Sequence, residues 1–520
     1  MKGAIMKDFL NHEYVRKLVV LSFLNNYSKP VSIEKIAEKI GSTKFTVQSI
    51  LDDLEYDLLN EKTLTLGKTV DKEYFLKTIE LSQDVFLDRI HLNYAKKSVI
   101  FMMVDELFDK NGINTKKFCI ENYISQATFS RSKQKLALIV EGCGLQLPSY
   151  SKNGIEGSEY RIRNFYFLFY WSFFNSVEWP FDVESYHKIA SFIDKDESKL
   201  FANISKIQRN KIIYILYISL KRISLNNSLK EKPSKDLKEF PNYACFFNCM
   251  KNFFFEYGIK TPELLESEIH YLFFVFYDNK LIDFDEDILQ YFTYMNKNNP
   301  TYGKISNFWI NIFDDVFKLT LSQKQKIDLF HDINTLHAHC ELVHCKQKYF
   351  YKNYIEENFY AYEKIELKLK KYVEKLFYRL DENTEYHNFR ITYLKVLSDE
   401  DIINQYFVFI YHFLLLEMEM EVEPVVVYIE NSLDYRVKEI LEKKIERIFG
   451  NKISIIKTLT KHIDLFVTDH HIQGEDIRKE IFVPTFTDRK KFDLAVKAIQ
   501  KLVSQKVVLS NHTKINHFFH

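Results

Sequence analysis

The sequence predicts a mainly α, multidomain protein closed by one small α/β domain. Three observations predict it. The 520 residues hold 46 Phe and 33 Tyr against 12 Gly and 9 Pro, so apolar-periodic stretches run on with few breakers. From residue 164 to about 418 the pattern is helix after helix. At Val422 the period changes, and residues 424–429 (PVVVYI) become a β-branched run of the kind buried on both faces of a sheet.

Size and composition narrow the function. The length suggests three or four domains, and 46% hydrophobic residues suffice for sizeable cores. Lys and Arg number 72 against 71 Asp and Glu, a net charge of +1. This is no polycation, so affinity for nucleic acid has to come from local patches. Six cysteines in so long a chain make no disulfide framework and suggest a reducing compartment. No apolar leader with a cleavage site opens the chain, and its most apolar runs, 271–277 and 406–416, are too short to span a bilayer. A cytoplasmic protein without a membrane partner is expected. Neither Gly-x-x-x-x-Gly-Lys nor Gly-x-Gly-x-x-Gly occurs, and no Ser-His-Asp motif or nucleophile elbow stands out. No enzyme and no cofactor are expected.

Taken in order, residues 13–25 (Val15, Leu18, Val19, Phe23 inward) form a first helix. Residues 31–40 (VSIEKIAEKI) form a second, and Gly41 supplies a turn. A third runs from Thr43 to Leu54. Residues 63–66 alternate like a strand and make a small wing around Gly67. A helix over 75–90 joins this unit to the next, which opens at 93–108 and breaks at 111–114.

Residues 118–163 are the centre of the pattern: helix, tight turn, helix, then a β-hairpin. Ser125 is a good N-cap. Phe129, Leu136 and Ile139 face inward, leaving Gln126, Ser130, Arg131, Lys133 and Gln134 outside. The hairpin turns at Lys152-Asn153-Gly154, residues tolerant of positive φ. Such a helix suits the major groove and a basic hairpin suits the neighbouring backbone. This is a winged helix-turn-helix. The alternative is a helical hairpin packed for stability alone, and a second copy weakens it: Thr46 matches Thr128, Val47 matches Phe129, and Leu54 matches Leu136.

The candidate DNA-facing residues are Thr43, Lys44, Thr46, Gln48 and Ser49 in the first unit. In the second they are Gln126, Thr128, Ser130, Arg131 and Lys133, with Lys152 and Arg161 near phosphates. Arg131, Gln126 and Gln48 are the base readers, since Arg pairs with guanine and Gln with adenine.

Beyond residue 164, helices are expected over 165–174, 183–193, 208–223, 243–257 and 262–277, with a polar loop at 226–241. Residues 296–303 (NKNNPTYG) punctuate the region. A second helical group follows at 304–319, 323–343, 360–379 and 402–417. The C-terminal order is strand 424–429, helix 434–449 ended by Gly450, strands 453–456, 463–468 and 480–486, and helix 488–503. It fits an open α/β sheet with helices on its faces.

With that architecture, the sequence resembles the Mga/AtxA family of Gram-positive virulence and sugar-responsive regulators. The paired helix-turn-helices carry the likeness, with the wing ending Gly157-Ser158-Glu159-Tyr160-Arg161-Ile162-Arg163. The resemblance implies a winged helix-turn-helix over 1–90 and another over 91–163. It then implies PTS-regulation domains (PRDs) over 164–285 and 286–420, and an EIIB-like α/β domain over 421–506. A DNA-binding transcriptional activator of promoter regions is implied, dimeric through its C-terminal parts. Its control would be phosphorylation of histidines by phosphocarrier proteins of the sugar phosphotransferase system. His187, His270 and His331 are the candidate acceptors, and an acceptor must be at least partly exposed. A true EIIB carries its phosphate on a cysteine after the first strand. Here that loop reads Glu430-Asn431-Ser432-Leu433-Asp434, with no Cys, no Gly and two carboxylates that would repel a phosphate.

Two alternatives remain: an RNA-binding antiterminator, which also carries PTS-regulation domains, and a phosphotransfer protein. Among other constellations, His337, Cys340, Glu341 and His344 would share one helical face at a spacing able to hold zinc, with no second ligand pair elsewhere, so no metal is expected. Cys245 and Cys249 are expected in the core, and His470-His471 on a loop surface.

Overall fold

The computed structural model describes residues 7–58, 64–148, 154–229, 242–282, 300–342 and 363–518, less 26, 28, 79–82, 175–176, 197–199, 320, 396, 420–423, 432–434, 459–461, 471–479 and 484–488. The chain forms two compact units. One comprises residues 1–310, 321–361 and 383–398, the other 311–320, 362–382 and 399–520.

The first unit opens with helices α1 (His12–Asn25), α2 (Ile33–Ile40) and α3 (Lys44–Leu58), followed by strands β1 (Leu64–Lys68) and β2 (Tyr74–Thr78). The strands pair antiparallel, Gly67 opposite Phe75. A Cβ on Gly67 would fall 2.4 Å from the Phe75 ring, so the glycine serves close packing within the strand. The turn comes later, at Thr69–Lys72, with Lys72 at φ 61°. The helix expected from residue 75 starts at Gln83 instead. Residues 75–78 pair with residues 64–67 in the β1–β2 ladder, and Tyr74 also bridges Val31 through a pair of backbone hydrogen bonds.

Helices α4 (Gln83–Lys96), α5 (Val99–Lys110), α6 (Thr115–Glu121) and α7 (Gln126–Glu141) make the next group. Ser98, fully buried, stands between α4 and α5 and donates its hydroxyl to the Phe9 carbonyl at 2.6 Å. Helix α8 (Glu159–Phe174) is buried almost all round, as a helix at the middle of a domain must be. It packs on α4 and on α10 (Lys206–Ser224). Phe169 and Phe173 meet Phe9 and Phe101 at ring separations of 4.9–5.9 Å. Helices α9 (Val183–Asp194), α11 (Tyr243–Glu256) and α12 (Pro262–Asp278) complete this group. A proper capping box, Ser205 with Gln208, starts α10.

Helix α13 (Pro300–Phe317) begins inside the stretch expected to be a turn. Pro300 stands at its first position, where a missing N–H costs nothing. Then come α14 (Gln323–Leu342), α15 (Glu363–Asp381), α16 (Thr384–Tyr393) and α17 (Asp399–Glu419). The sequence reading missed α16, although Asn383 caps it by accepting from the Glu385 and Tyr386 N–H groups. The units cut through this helical run: α14 and α16 belong to the first, α15 and α17 to the second.

The second unit holds a four-stranded parallel sheet in the order β4-β3-β5-β6, with β3 (Val425–Ile429), β4 (Ile453–Ile456), β5 (Leu465–Thr468) and β6 (Glu480–Phe482). Val425, Val427 and Ile429 face Leu441 and Ile445 of α18 (Tyr435–Phe449) and Ala495 and Ile499 of α19 (Arg489–Phe518). Helices α15 and α17 pack together and also against α19. Among the described residues no helix is long and apolar enough to cross a membrane.

Candidate nucleic-acid interface

Helices α2 and α3 form one helix-turn-helix, α6 and α7 another, and the two are built alike position by position. Ser32 caps α2 by accepting from the Lys35 N–H, and Asn114 caps α6 by accepting from Lys117. Gly41 turns the first at φ 62°, and Tyr123 turns the second at φ 53°. Thr43 Oγ1 accepts from the Thr46 N–H at 3.2 Å and lies 2.9 Å from the Thr46 hydroxyl. Ser125 Oγ accepts from the Thr128 N–H at 3.1 Å and lies 2.9 Å from the Thr128 hydroxyl. Val47 and Leu54 are buried in α3, as are Phe129 and Leu136 in α7. Each such cap stabilises its helix by about 1 kcal/mol and fixes where the outer face begins.

The outer faces differ. In α7, Gln126, Ser130, Arg131, Gln134 and Lys135 are exposed, and Lys133 is half-buried. Burial lowers the Lys133 pKa. Arg131 has no ion-pair partner among the described residues. Lys116 and Lys117 are exposed on α6 and extend the basic surface, Lys117 lying 3.7 Å from Glu121 one turn on. The sequence reading passed over that pair, and the signal was present in the Lys-Lys step just after the Asn114 cap. In α3, Lys44 and Ser49 are exposed, but the Lys44 ammonium pairs with Glu34 at 2.8 Å. The Gln48 side chain is occupied at both ends: its Nε2 donates to Asp52 at 2.7 Å, and its Oε1 accepts from the Tyr74 hydroxyl at 3.0 Å. As placed, that amide is not available to an adenine edge. Asp52, Asp53 and Glu55 are also exposed on α3, as are Phe45 and Tyr56.

The second wing departs from expectation. Gln146 and Glu156 make an antiparallel bridge with both hydrogen bonds at 2.8 Å. Of the run expected to close the wing, Gly157–Arg163, the residues from Glu159 onward are instead the start of α8. Arg161, expected near phosphates, is buried and donates to the backbone carbonyl of Glu341. It sits on the inward side of a helix, where no duplex can reach it. Lys152 lies outside the described residues.

The three candidate phosphate acceptors are placed differently. His187 is exposed on α9. His331, on α14, has Nε2 2.5 Å from the Tyr277 hydroxyl and Nδ1 3.2 Å from Asp332, and its side chain is 15% exposed. His270 on α12 is largely buried, and burial pushes its pKa down to about 4. It does not meet the exposure expected of an acceptor.

Of the proposed zinc face, His337 is fully buried against Phe389, and burial pushes its pKa down to about 3. Cys340 is buried, Glu341 accepts from the Tyr302 hydroxyl, and His344 lies outside the described residues. Among the described residues no group of three or more His, Cys, Asp and Glu side chains is gathered for a metal. Cys249 is buried, as expected, whereas Cys245 is exposed. His470 is exposed beside Asp469 and His471 is outside the described residues. In the loop after β3, the described residues are Glu430 and Asn431. Glu430 accepts from the Tyr428 hydroxyl at 2.9 Å and Lys438 at 3.1 Å. Burial opposes its charge, but these two donors outweigh it and lower its pKa.

Residues 83–170 match the family model described as the Mga helix-turn-helix domain. A protein of Streptococcus pneumoniae serotype 4 (strain TIGR4), provisionally described as a trans-acting regulator, is 21% identical over 348 residues. The match covers 64% of this chain and 66% of that relative, just under two thirds of its length.

Proposed function

We propose that this chain, which carries the helix-turn-helix domain of the Mga regulators, is a DNA-binding transcriptional regulator that activates promoters. The observation that carries the reading is α7: a capped helix whose outer face presents Gln126, Ser130 and Arg131 in a chain of nearly balanced charge. Arg131 and Gln126 read base edges, and Lys133, Lys135, Lys116 and Lys117 meet phosphates. Thr128 holds the cap and sets where Gln126 emerges. In the first copy, Lys44 and Ser49 contact the backbone, and Thr43 and Thr46 orient the helix through their shared cap.

Control by the sugar phosphotransferase system enters through the helical regions. His187 is the acceptor its exposure favours. A phosphate adds roughly −1.5 to −2 charge near neutral pH, beside Lys188 and Glu184 on the same helix. His331 is a second acceptor once its Tyr277 hydrogen bond opens. The C-terminal sheet keeps an EIIB-like shape and has lost transfer chemistry, since Glu430 and Lys438 neutralise each other where a phosphate would sit. The protein works as a homodimer through these C-terminal parts.

A gel shift comparing an AT-rich promoter duplex with hairpin RNA tests the core of this reading. Retardation of the duplex alone is expected. Retardation of the RNA alone would replace the reading with an antiterminator. Incubation with phosphocarrier proteins and labelled phosphoenolpyruvate should label the chain, and His187→Ala should remove most of the label. Label on the C-terminal sheet would overturn the loss of transfer chemistry.

A further inference from the structure

Four charges are gathered beside the second helix-turn-helix, three of them buried and Glu159 13% exposed. Glu159, at the start of α8, takes a bidentate bond from Arg222 of α10, Nε and Nη2 both at 2.8 Å. It also accepts from Arg163 Nε at 3.1 Å. Arg163 turns its other nitrogens to Glu268 of α12, and Glu268 further accepts the Leu229 N–H at 3.1 Å. The Arg163 and Glu268 side chains are 0% exposed. Two cations and two anions cancel, which is what makes such burial tolerable.

One bond leaves this set toward the wing. Arg222 Nη1 donates to Asn111 Oδ1 at 3.1 Å. Asn111 ends α5 at φ 53°, and the returning wing segment passes directly over its side chain. A Cβ on Gly154 would fall 2.5 Å from Asn111 Oδ1. From Gly154 the chain runs to Glu156, which bridges Gln146, and then into α8.

We propose that Asn111 is a positioning residue for the second wing, holding Gly154 from below while Arg222 ties it to helices outside the DNA-reading group. The claim rests on the reading that α6, α7 and the wing grip DNA. Its consequence is that a shift of α10 reaches the wing from two sides, through Asn111 beneath Gly154 and through Glu159 at the start of α8.

Three variants of the full-length protein test it. Asn111→Gly keeps the left-handed backbone without strain and removes the acceptor. Amides of 154–158 should then exchange with solvent about tenfold faster, the scale set by losing a hydrogen bond to a charged group. Melting should stay near wild type, and affinity for promoter duplex should fall severalfold. Asn111→Asp keeps the acceptor and should retain wild-type exchange. Gly154→Ala should loosen the wing alone, and should add much less in the Asn111→Gly background, where the side-chain clash is gone and only the Asn111 carbonyl, 3.3 Å from the new Cβ, remains close. Wild-type exchange in Asn111→Gly, or additive effects in the double variant, would overturn the proposal. A wild-type protein that binds no duplex would instead sink the DNA reading, leaving the exchange measurements to decide the clamp.

Discussion

The two helix-turn-helix copies share a skeleton and present opposite surfaces. Caps Ser32 and Asn114, turn residues Gly41 and Tyr123, caps Thr43 and Ser125, and core residues Val47 and Phe129 coincide in register. On the second helix of each, α3 sets Lys44 against Asp52, Asp53, Glu55 and Asp57, whereas α7 sets Arg131, Lys133 and Lys135 against Glu141. Burial and capping constrain the positions that make the motif. Charge on the open face is not so constrained, and it decides what each copy can grip.

The difference extends inward. Lys17 and Asp57 of the first copy stand in register with Val99 and Ile139 of the second, both buried. Lys17, 5% exposed, bonds Asp57 at 2.9 Å, and the Tyr94 hydroxyl donates to the same carboxylate oxygen at 2.6 Å. One copy thus uses an ion pair where the other uses apolar packing.

The largest effect is expected there. Lys17→Met leaves Asp57 without its cation and should lower folding stability by about 2–3 kcal/mol, less than for a fully buried pair because Asp57 stays partly open to solvent. Lys17→Met with Asp57→Leu should recover most of the loss, as the second copy's arrangement suggests. Burial disfavours the Asp57 charge, but Lys17 and Tyr94 outweigh it and hold its pKa below the usual value. The pair's contribution is therefore complete above about pH 4, the ordinary carboxylate range, and is lost as pH falls through the depressed value. Urea melts across that window check the sign.

Next comes the reading face. Arg131→Ala should weaken binding to promoter duplex by about tenfold at moderate salt, on the scale of one lost guanine contact. Gln48→Ala should change it less than about twofold, because Asp52 and Tyr74 already hold that amide. Fluorescence anisotropy titrations with equal losses for both would erase the contrast between the copies. Removing two charges from α3 sharpens it: Asp53→Asn with Glu55→Gln should raise affinity by roughly threefold at low salt and by little at high salt, as screening requires.

The smallest effect concerns the turns. Gly41→Ala should destabilise by about 1 kcal/mol through backbone strain alone, since a Cβ there meets nothing within 4 Å. Tyr123→Gly should be tolerated in a thermal melt, because relief of the left-handed strain offsets the added freedom of the unfolded chain.

Much of this was legible in the sequence, for reasons that are local. Caps, apolar spacing and the in-register repeat lie within a few residues of one another, so α2, α3, α6 and α7 could be read directly. The β-branched run at 424–429 announced β3 in the same way. What escaped reading depends on distant residues. Arg161 looks like a wing cation in its own neighbourhood, and only the Glu341 carbonyl far along the chain shows it to be inside. Gln48 looks like a base reader until Tyr74 arrives from the hairpin. Residues 75–78 have helical spacing, yet their antiparallel pairing with residues 64–67 makes them a strand.

The way α15 and α17 accompany the C-terminal sheet bears on how that part could be isolated. A fragment cut just ahead of β3 would keep every strand and still be incomplete, because α19 would lose two of the helices it rests on. Its newly bared apolar flank would invite clumping that says nothing about the intact molecule. A faithful excision has to gather three separated stretches of chain.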